Sequence, residues 1–191
     1  LSTLARLERG TITVEPVALD AADTIKKIVD QYKLAASAKK LRIKVAVERD
    51  LPIIFTSQHE VKEILQKLVA NAVKYTRQGT VTIGAKRADG DQKGIVFCVS
   101  DTGIGISAND KQHLFDKFYR ANDNRTRSES GTGLGLYICQ KLVERLNGEL
   151  SLESKLNKGS TFSLYIPHYS NLEVDRKKVL HAQLDSVVSS L

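Results

Sequence analysis

Residues 129–142 read ESGTGLGLYICQKL, with glycines at 131, 133 and 135 running straight into an apolar, helix-forming stretch. A helix that starts without side chains is suited to bring backbone N–H groups close to a ligand. The spacing is G-x-G-x-G rather than the G-x-G-x-x-G of dinucleotide folds, and the segment before it is polar and arginine-rich rather than a strand. Behind the glycines, Leu136, Cys139, Leu142, Val143 and Leu146 recur at helical offsets and hold the helix to a core, with Gly148 as its stop.

Outward from that helix the chain reads as one domain. Its 191 residues, 41% hydrophobic and 27% charged, can bury one sizeable core. No run reaches the ~18 consecutive apolar residues of a membrane helix, and no signal peptide is visible. The chain is cytoplasmic in character. It holds no methionine, even at position 1, so it reads as a piece of a longer product whose other parts could hold a membrane anchor. Cys98 and Cys139 lie among apolar neighbours without metal-ligand spacing and read as buried free thiols. The net charge of +7 favours anionic partners, but the basic residues are spread along the chain without aromatic interleaving, which argues against nucleic acid.

Residues 1–10, LSTLARLERG, read as the last turns of a helix ended by Gly10. The pattern then predicts a strand over 11–17, a helix over 18–39 with Ile25, Ile28, Val29 and Tyr32 inward, and a strand over 41–48. DLPIIFTS, with its proline, reads as a connection. A helix over 57–76 carries the stripe Val61, Ile64, Leu65, Leu68, Val69 and Ala72 and ends at Gly79. Strands over 80–87 and 94–100 form a hairpin across Asp89-Gly90, a short helix lies near 110–115, and a second hairpin of 149–154 and 160–166 closes at Pro167. The tail from 169 to 191 has helical apolar spacing. The fold class is a two-layer α/β (α+β) sandwich, a mixed and mainly antiparallel sheet covered on one face by three helices.

Three further segments carry chemistry. On the helix over 57–76, Lys67, Asn71 and Lys74 fall within about 60° of each other at the margin of the buried stripe, so an amide oxygen able to ligate magnesium sits one turn from an ammonium able to meet phosphate. DTGIGI at 101–106 leaves an apolar strand on a carboxylate suited to accept from an exocyclic amine, as adenine has and guanine lacks at the equivalent position. KQHLFDKFYRANDNRTRSESG anchors a helix end with Phe115 and Phe118, then carries Arg120, Arg125 and Arg127 in a connection long enough to be a lid. Each segment alone also fits a solvated helix margin, a tight turn or a surface loop.

Their order is more specific than any piece. LVANAVKYT (68–76), DTGIGI (101–106), LFDKFYR (114–120) and GTGLGLYICQKLVERLNGEL (131–150) together resemble the N, G1, F and G2 boxes of the ATP-binding catalytic domain of bacterial two-component sensor histidine kinases, a Bergerat-type fold of the GHKL superfamily. KGSTFSLYIP (158–167) is similar to that family's closing strand, and the resemblance spans 11–167, with 1–10 similar to the end of the dimerisation-domain helix. The resemblance implies that Asn71 holds Mg2+, Lys74 contacts phosphate and Tyr75 covers the adenine. It also implies that Asp101 takes the adenine amine in a pocket shaped by Gly103, Gly105 and Ile106, with Thr161 near the base. Arg120 would reach the terminal phosphate from a lid anchored by Phe115, and Gly131, Thr132, Gly133, Leu134, Gly135 and Leu136 would present the phosphates with a helix start.

The implied activity is transfer of the γ-phosphate of ATP to a histidine on the dimerisation and phosphoacceptor domain of a homodimeric parent, which then serves a response regulator. Two departures stand out. Lys67 occupies the place of a first N-box asparagine, and the acceptor histidine is absent: HEVKEI at 59–64 lacks the Thr-Pro end of that motif and lies inside the N-box helix, so His59 is a helix-start residue. Within the superfamily the alternatives are an ATPase of the gyrase, mismatch-repair or heat-shock chaperone kind and a serine kinase, both disfavoured by the phenylalanine-arginine segment. The non-enzymatic alternative is a nucleotide-sensing module, for which Lys67 is the best support.

Overall fold

The computed structural model describes residues 3–10, 15–90, 93–121, 125 and 131–169. Its elements run α1 (Thr3–Glu8), β1 (Val17–Leu19), α2 (Ala21–Ala38), β2 (Arg42–Val47), β3 (Ile54–Thr56), α3 (Gln58–Tyr75), β4 (Thr80–Arg87), β5 (Gly94–Asp101), α4 (Ala108–His113), α5 (Gly135–Arg145), β6 (Glu149–Lys155) and β7 (Gly159–Pro167). The expected helix over 170–191, most of the strand expected over 11–17, and Arg127 lie outside the described residues.

A five-stranded sheet, ordered β2-β4-β5-β7-β6, is antiparallel except where β2 runs parallel to β4. Side chains alternate between sheet faces. The inner face of the central strands carries Ile83, Val99 and Phe162 in one row and Ala85, Phe97 and Leu164 in the next, all buried. Helices α2, α3 and α5 lie against that face, and the stripe of α3 is buried throughout, with Val61, Ile64 and Val69 at 0% exposure. The outer face of the same strands presents Thr82, Ser100 and Thr161, then Gly84, Cys98 and Ser163.

Local chemistry explains where the boundaries depart from the sequence pattern. The helix after β1 begins at Ala21 because the Asp20 carboxylate accepts from the Asp23 N–H. DLPIIFTS contains β3, which pairs with β1 in a separate two-stranded sheet, a long-range pairing that three residues after a proline do not announce. Helix α3 stops at Tyr75, short of Gly79, because the Thr76 hydroxyl donates to the Ala72 carbonyl and the Ile104 N–H claims the Tyr75 carbonyl. Helix α4 starts two residues early, where the Ser107 hydroxyl accepts from the Asp110 N–H. Helix α5 ends in a left-handed residue, Asn147 (φ 53°), with the Gly148 N–H on the Val143 carbonyl, so the terminating conformation falls one residue before the expected glycine.

α1 packs Leu4 and Leu7 against the core and contacts α5. The free thiol of Cys139 is buried and pushed up to about 12 by that burial, an inert core group, while Cys98 is half-buried on the outer face. No described helix is long and apolar enough to cross a membrane.

Phe97 is 1% exposed in the middle of β5, between Ala85 and Leu164 in its inner row. Phe97→Ala is expected to lower unfolding stability by about 3–5 kcal/mol, read as a reduced urea midpoint in circular dichroism.

Candidate functional site

A cavity of about 290 Å3 opens between the C-terminal half of α3, the β5–α4 loop, the segment after α4 and the start of α5. Asp101 reaches it through register. It stands opposite Val81 on β4 and Ser160 on β7, with Ser154 next in line on β6, so its carboxylate belongs to the inner row at the end of the sheet. There it accepts the Gly103 N–H at 2.8 Å and the Ser160 N–H. Burial pushes the carboxyl above its ordinary 3.8, and the two backbone donors partly oppose that rise.

The loop after Asp101 is bound tightly to its surroundings. The Ile104 N–H donates to the Tyr75 carbonyl, the Asn157 N–H to the Ile104 carbonyl at 2.7 Å, and the Ile106 N–H to the Ser154 hydroxyl at 2.9 Å. Gly105 (φ +65°) leaves no room for a side chain, since an added Cβ would lie 2.1 Å from the Lys155 carbonyl oxygen.

The second part of the cavity is cationic. Asn71 and Lys74, one turn apart on α3, both line it. Lys74 Nζ lies 4.9 Å from the centre of the Tyr75 ring and 3.1 Å from where a Cβ on Gly131 would stand. Arg120 follows Tyr119 into the lining. Gly133 (φ +70°) lets the helix start cross the backbone of Phe118, whose Cα and carbonyl would be 2.5–2.8 Å from any Cβ, and the Phe118 N–H donates to the Gly133 carbonyl. Helix α5 begins at Gly135 with no side-chain cap on its N-terminus and no acidic residue in its first turn. Its leading N–H groups and its dipole are therefore uncompensated from within the helix, the arrangement that favours an anion.

Of the residues singled out from the sequence, the cavity brings together Asn71, Lys74, Tyr75, Asp101, Gly105, Ile106, Arg120, Gly131, Thr132, Gly133, Gly135 and Leu136. Gly103 stands behind Asp101 and contributes its N–H, while Phe115 and Leu134 pack against the core rather than line the cavity. Thr161 is a correction. It lies on the outer face of the sheet, its hydroxyl 2.8 Å from that of Ser100, and its neighbours Ser160 and Phe162 line the cavity instead. The period-two alternation of β7 counted from Asp101's partner carries that signal. Ser107, Asp110, Tyr119 and Leu156 also line the cavity without having been singled out as site residues. Lys67 pairs with Glu63 at 3.4 Å and lines a separate groove with Lys62 and the exposed His59, away from this cavity.

The donor set suits a particular kind of metal. No cluster of three or more histidine, cysteine, aspartate or glutamate side chains occurs among the described residues, and the Asn71 amide is a neutral oxygen donor beside the cationic part of the cavity. That fits a hard cation taking one protein oxygen and completing its shell with phosphate and water, as Mg2+ does.

The family model described as histidine kinase-, DNA gyrase B-, and HSP90-like ATPase matches residues 56–170. The sensor protein GacS of Pseudomonas syringae pv. syringae is 33% identical over 168 residues, 85% of this chain and 18% of that protein. The sensor histidine kinase RcsC of Escherichia coli strain K12 is 31% identical over 176 residues, 92% of this chain and 18% of that one. The chain thus spans 18% of the length of these curated relatives. Full-length ShkA in complex with AMPPNP superposes with a TM-score of 0.78 at 26% identity, over 88% of this chain and 34% of that one. The nucleotide-free catalytic domain of the histidine kinase ThkA shares the fold, with a TM-score of 0.68 at 20% identity over 81% of this chain and 96% of that one.

The raised Asp101 carboxyl has a consequence for stability. The folded chain binds this proton at higher pH than the unfolded chain does, so stability falls as pH rises from the ordinary 3.8 through the raised value. The cost of the ion is fully present at neutral pH. Urea midpoints between about pH 3 and 7 should show wild type losing ground to Asp101→Asn as pH increases, and carboxyl NMR should place the Asp101 midpoint above 3.8.

Proposed function

Because the chain belongs to the histidine kinase-, DNA gyrase B- and HSP90-like ATPase family, we propose that it is the ATP-binding catalytic domain of a sensor histidine kinase, passing the γ-phosphate of Mg-ATP to a histidine on its parent's dimerisation domain. One observation carries the reading: a single cavity holds a partly buried strand-end carboxylate together with an uncapped helix N-terminus flanked by Lys74 and Arg120. The first suits a base with an exocyclic amine and the second suits a polyphosphate. The name of the RcsC relative, a sensor histidine kinase, favours transfer to histidine over hydrolysis or transfer to serine.

In this reading Asp101 accepts the adenine amine with the oxygen not taken by Gly103, and Ser160 stands beside it in the role first assigned to Thr161. Ile106 and Tyr75 flank the base, with Leu156 at the β6–β7 turn. The N–H groups at Gly133 and Gly135 and the α5 dipole hold the phosphates, Lys74 adds a charge from α3, and Arg120 meets the terminal phosphate. Mg2+, held by Asn71, supplies charge neutralisation on the phosphate oxygens. Phosphoryl transfer asks chiefly for such positioning and neutralisation.

The remaining assignments rest on the same reading. Residues 1–10 are the end of the dimerisation-domain helix, 11–168 the catalytic domain and 169–191 a tail. The domain works in the cytoplasm, within a homodimeric parent that serves a response regulator.

Isothermal calorimetry with magnesium is expected to show tighter binding of ATP than GTP by this chain, with the preference lost in Asp101→Asn; equal affinities in the wild type would remove Asp101 from its role. Asn71→Ala is expected to abolish labelling of a histidine-bearing dimerisation domain from [γ-32P]ATP while the fold persists by circular dichroism. Undiminished labelling would place the metal elsewhere, and release of phosphate to water with no phosphohistidine would indicate an ATPase.

A further inference from the structure

Arg120 lies in neither a helix nor a strand: the segment bearing it follows α4 through a turn, and its placement depends on local contacts. Two contacts bracket it. Phe118, a bulky residue in the left-handed region (φ 67°), is held by its N–H on the Gly133 carbonyl, while its side chain is 62% exposed. Tyr119 is held by its hydroxyl, which donates to Asp110 Oδ1 at 2.7 Å.

The acceptor is itself immobilised. Asp110 Oδ2 receives the Ser107 hydroxyl at 2.5 Å, and the Asp110 N–H donates back to the same serine at 3.1 Å, the reciprocal cap of α4. The His113 ring lies tilted against the Tyr119 ring at 5.5 Å between centroids, and the Tyr119 N–H donates to the Asp116 carbonyl at 3.2 Å. Ser107, Asp110, Tyr119 and Arg120 all line the cavity. The backbone entering Arg120 is thus tied on one side to the α5 start and on the other to the α4 cap.

We propose that Tyr119, through its hydrogen bond to Asp110, is a positioning residue that aims Arg120 at the terminal phosphate. The proposal rests on the reading of Arg120 as the γ-phosphate contact. A phenol aimed by a capped carboxylate costs little further entropy, because the ring is already packed against His113. Removing the hydroxyl leaves the ring, the fold and the Asp116 contact but unties the segment from the α4 cap.

The test is the ratio of ATP to ADP affinity of this chain with magnesium, since only ATP carries the phosphate that Arg120 meets. Tyr119→Phe is expected to lower that ratio about three- to tenfold, the range of one hydrogen bond, with ADP affinity and melting temperature as in wild type. Asp110→Asn, which keeps an acceptor oxygen, is expected to retain more of the ratio than Asp110→Ala. A wild-type ratio in Tyr119→Phe alongside a reduced one in Arg120→Ala would overturn the positioning role alone. An equal loss of ATP and ADP affinity in Tyr119→Phe would overturn it as well, by making the tyrosine a general wall of the cavity. An unchanged ratio in Arg120→Ala would overturn the assignment of Arg120 and the proposal with it.

Discussion

A carboxylate at the end of an otherwise apolar sheet face has to be held by donors, and much of the cavity is built around holding Asp101. Its row neighbours are Val81 and Ser160, and the N–H groups of Gly103 and Ser160 converge on it. The loop that supplies Gly103 is in turn tied to the end of α3 through the Tyr75 carbonyl and to the β6–β7 turn through Asn157. The helix carrying Asn71 and Lys74 is thereby indexed to the strand carrying Asp101. Desolvation still raises the carboxyl, so the donors only partly offset the cost of the site.

The other part of the cavity sets main-chain groups beside the side chains of Asn71, Lys74 and Arg120. Gly133 allows the segment before Arg120 to cross the start of α5 at van der Waals distance, and α5 begins without a cap. A helix terminus left uncapped is a small local loss of stability that a bound anion can recover. The buried face of α5, with Cys139, Leu142 and Leu146 at 0% exposure, keeps that terminus in place while its first turn stays open.

Much of this was legible beforehand because it depends on short-range patterns. The stripe of α3, the alternation of β4, β5 and β7 and the glycines before α5 each express one periodicity within one element. What was misread depends on partners distant in the chain. Thr161 and Ser160 are both small hydroxyl residues, and only pairing with β5 decides which one shares a face with Asp101. The strand Ile54–Thr56 exists because Val17–Leu19 lies beside it. The α4 start was readable as a serine three residues before an aspartate, but the role of that aspartate in holding Tyr119 was not.

By itself the sequence determined the layers, the order of the elements other than β3 and the residue types that meet in the cavity, because hydrophobic period and glycine placement act locally. The tertiary structure decided which face each strand residue occupies, which hydroxyl stands next to the carboxylate, that Lys67 turns to Glu63 and away from the cavity, and what brackets Arg120. Those outcomes are set by sheet register and by contacts between segments far apart in sequence. A one-residue change in register moves a side chain to the opposite face, and no pattern within a single strand records which partner it will meet.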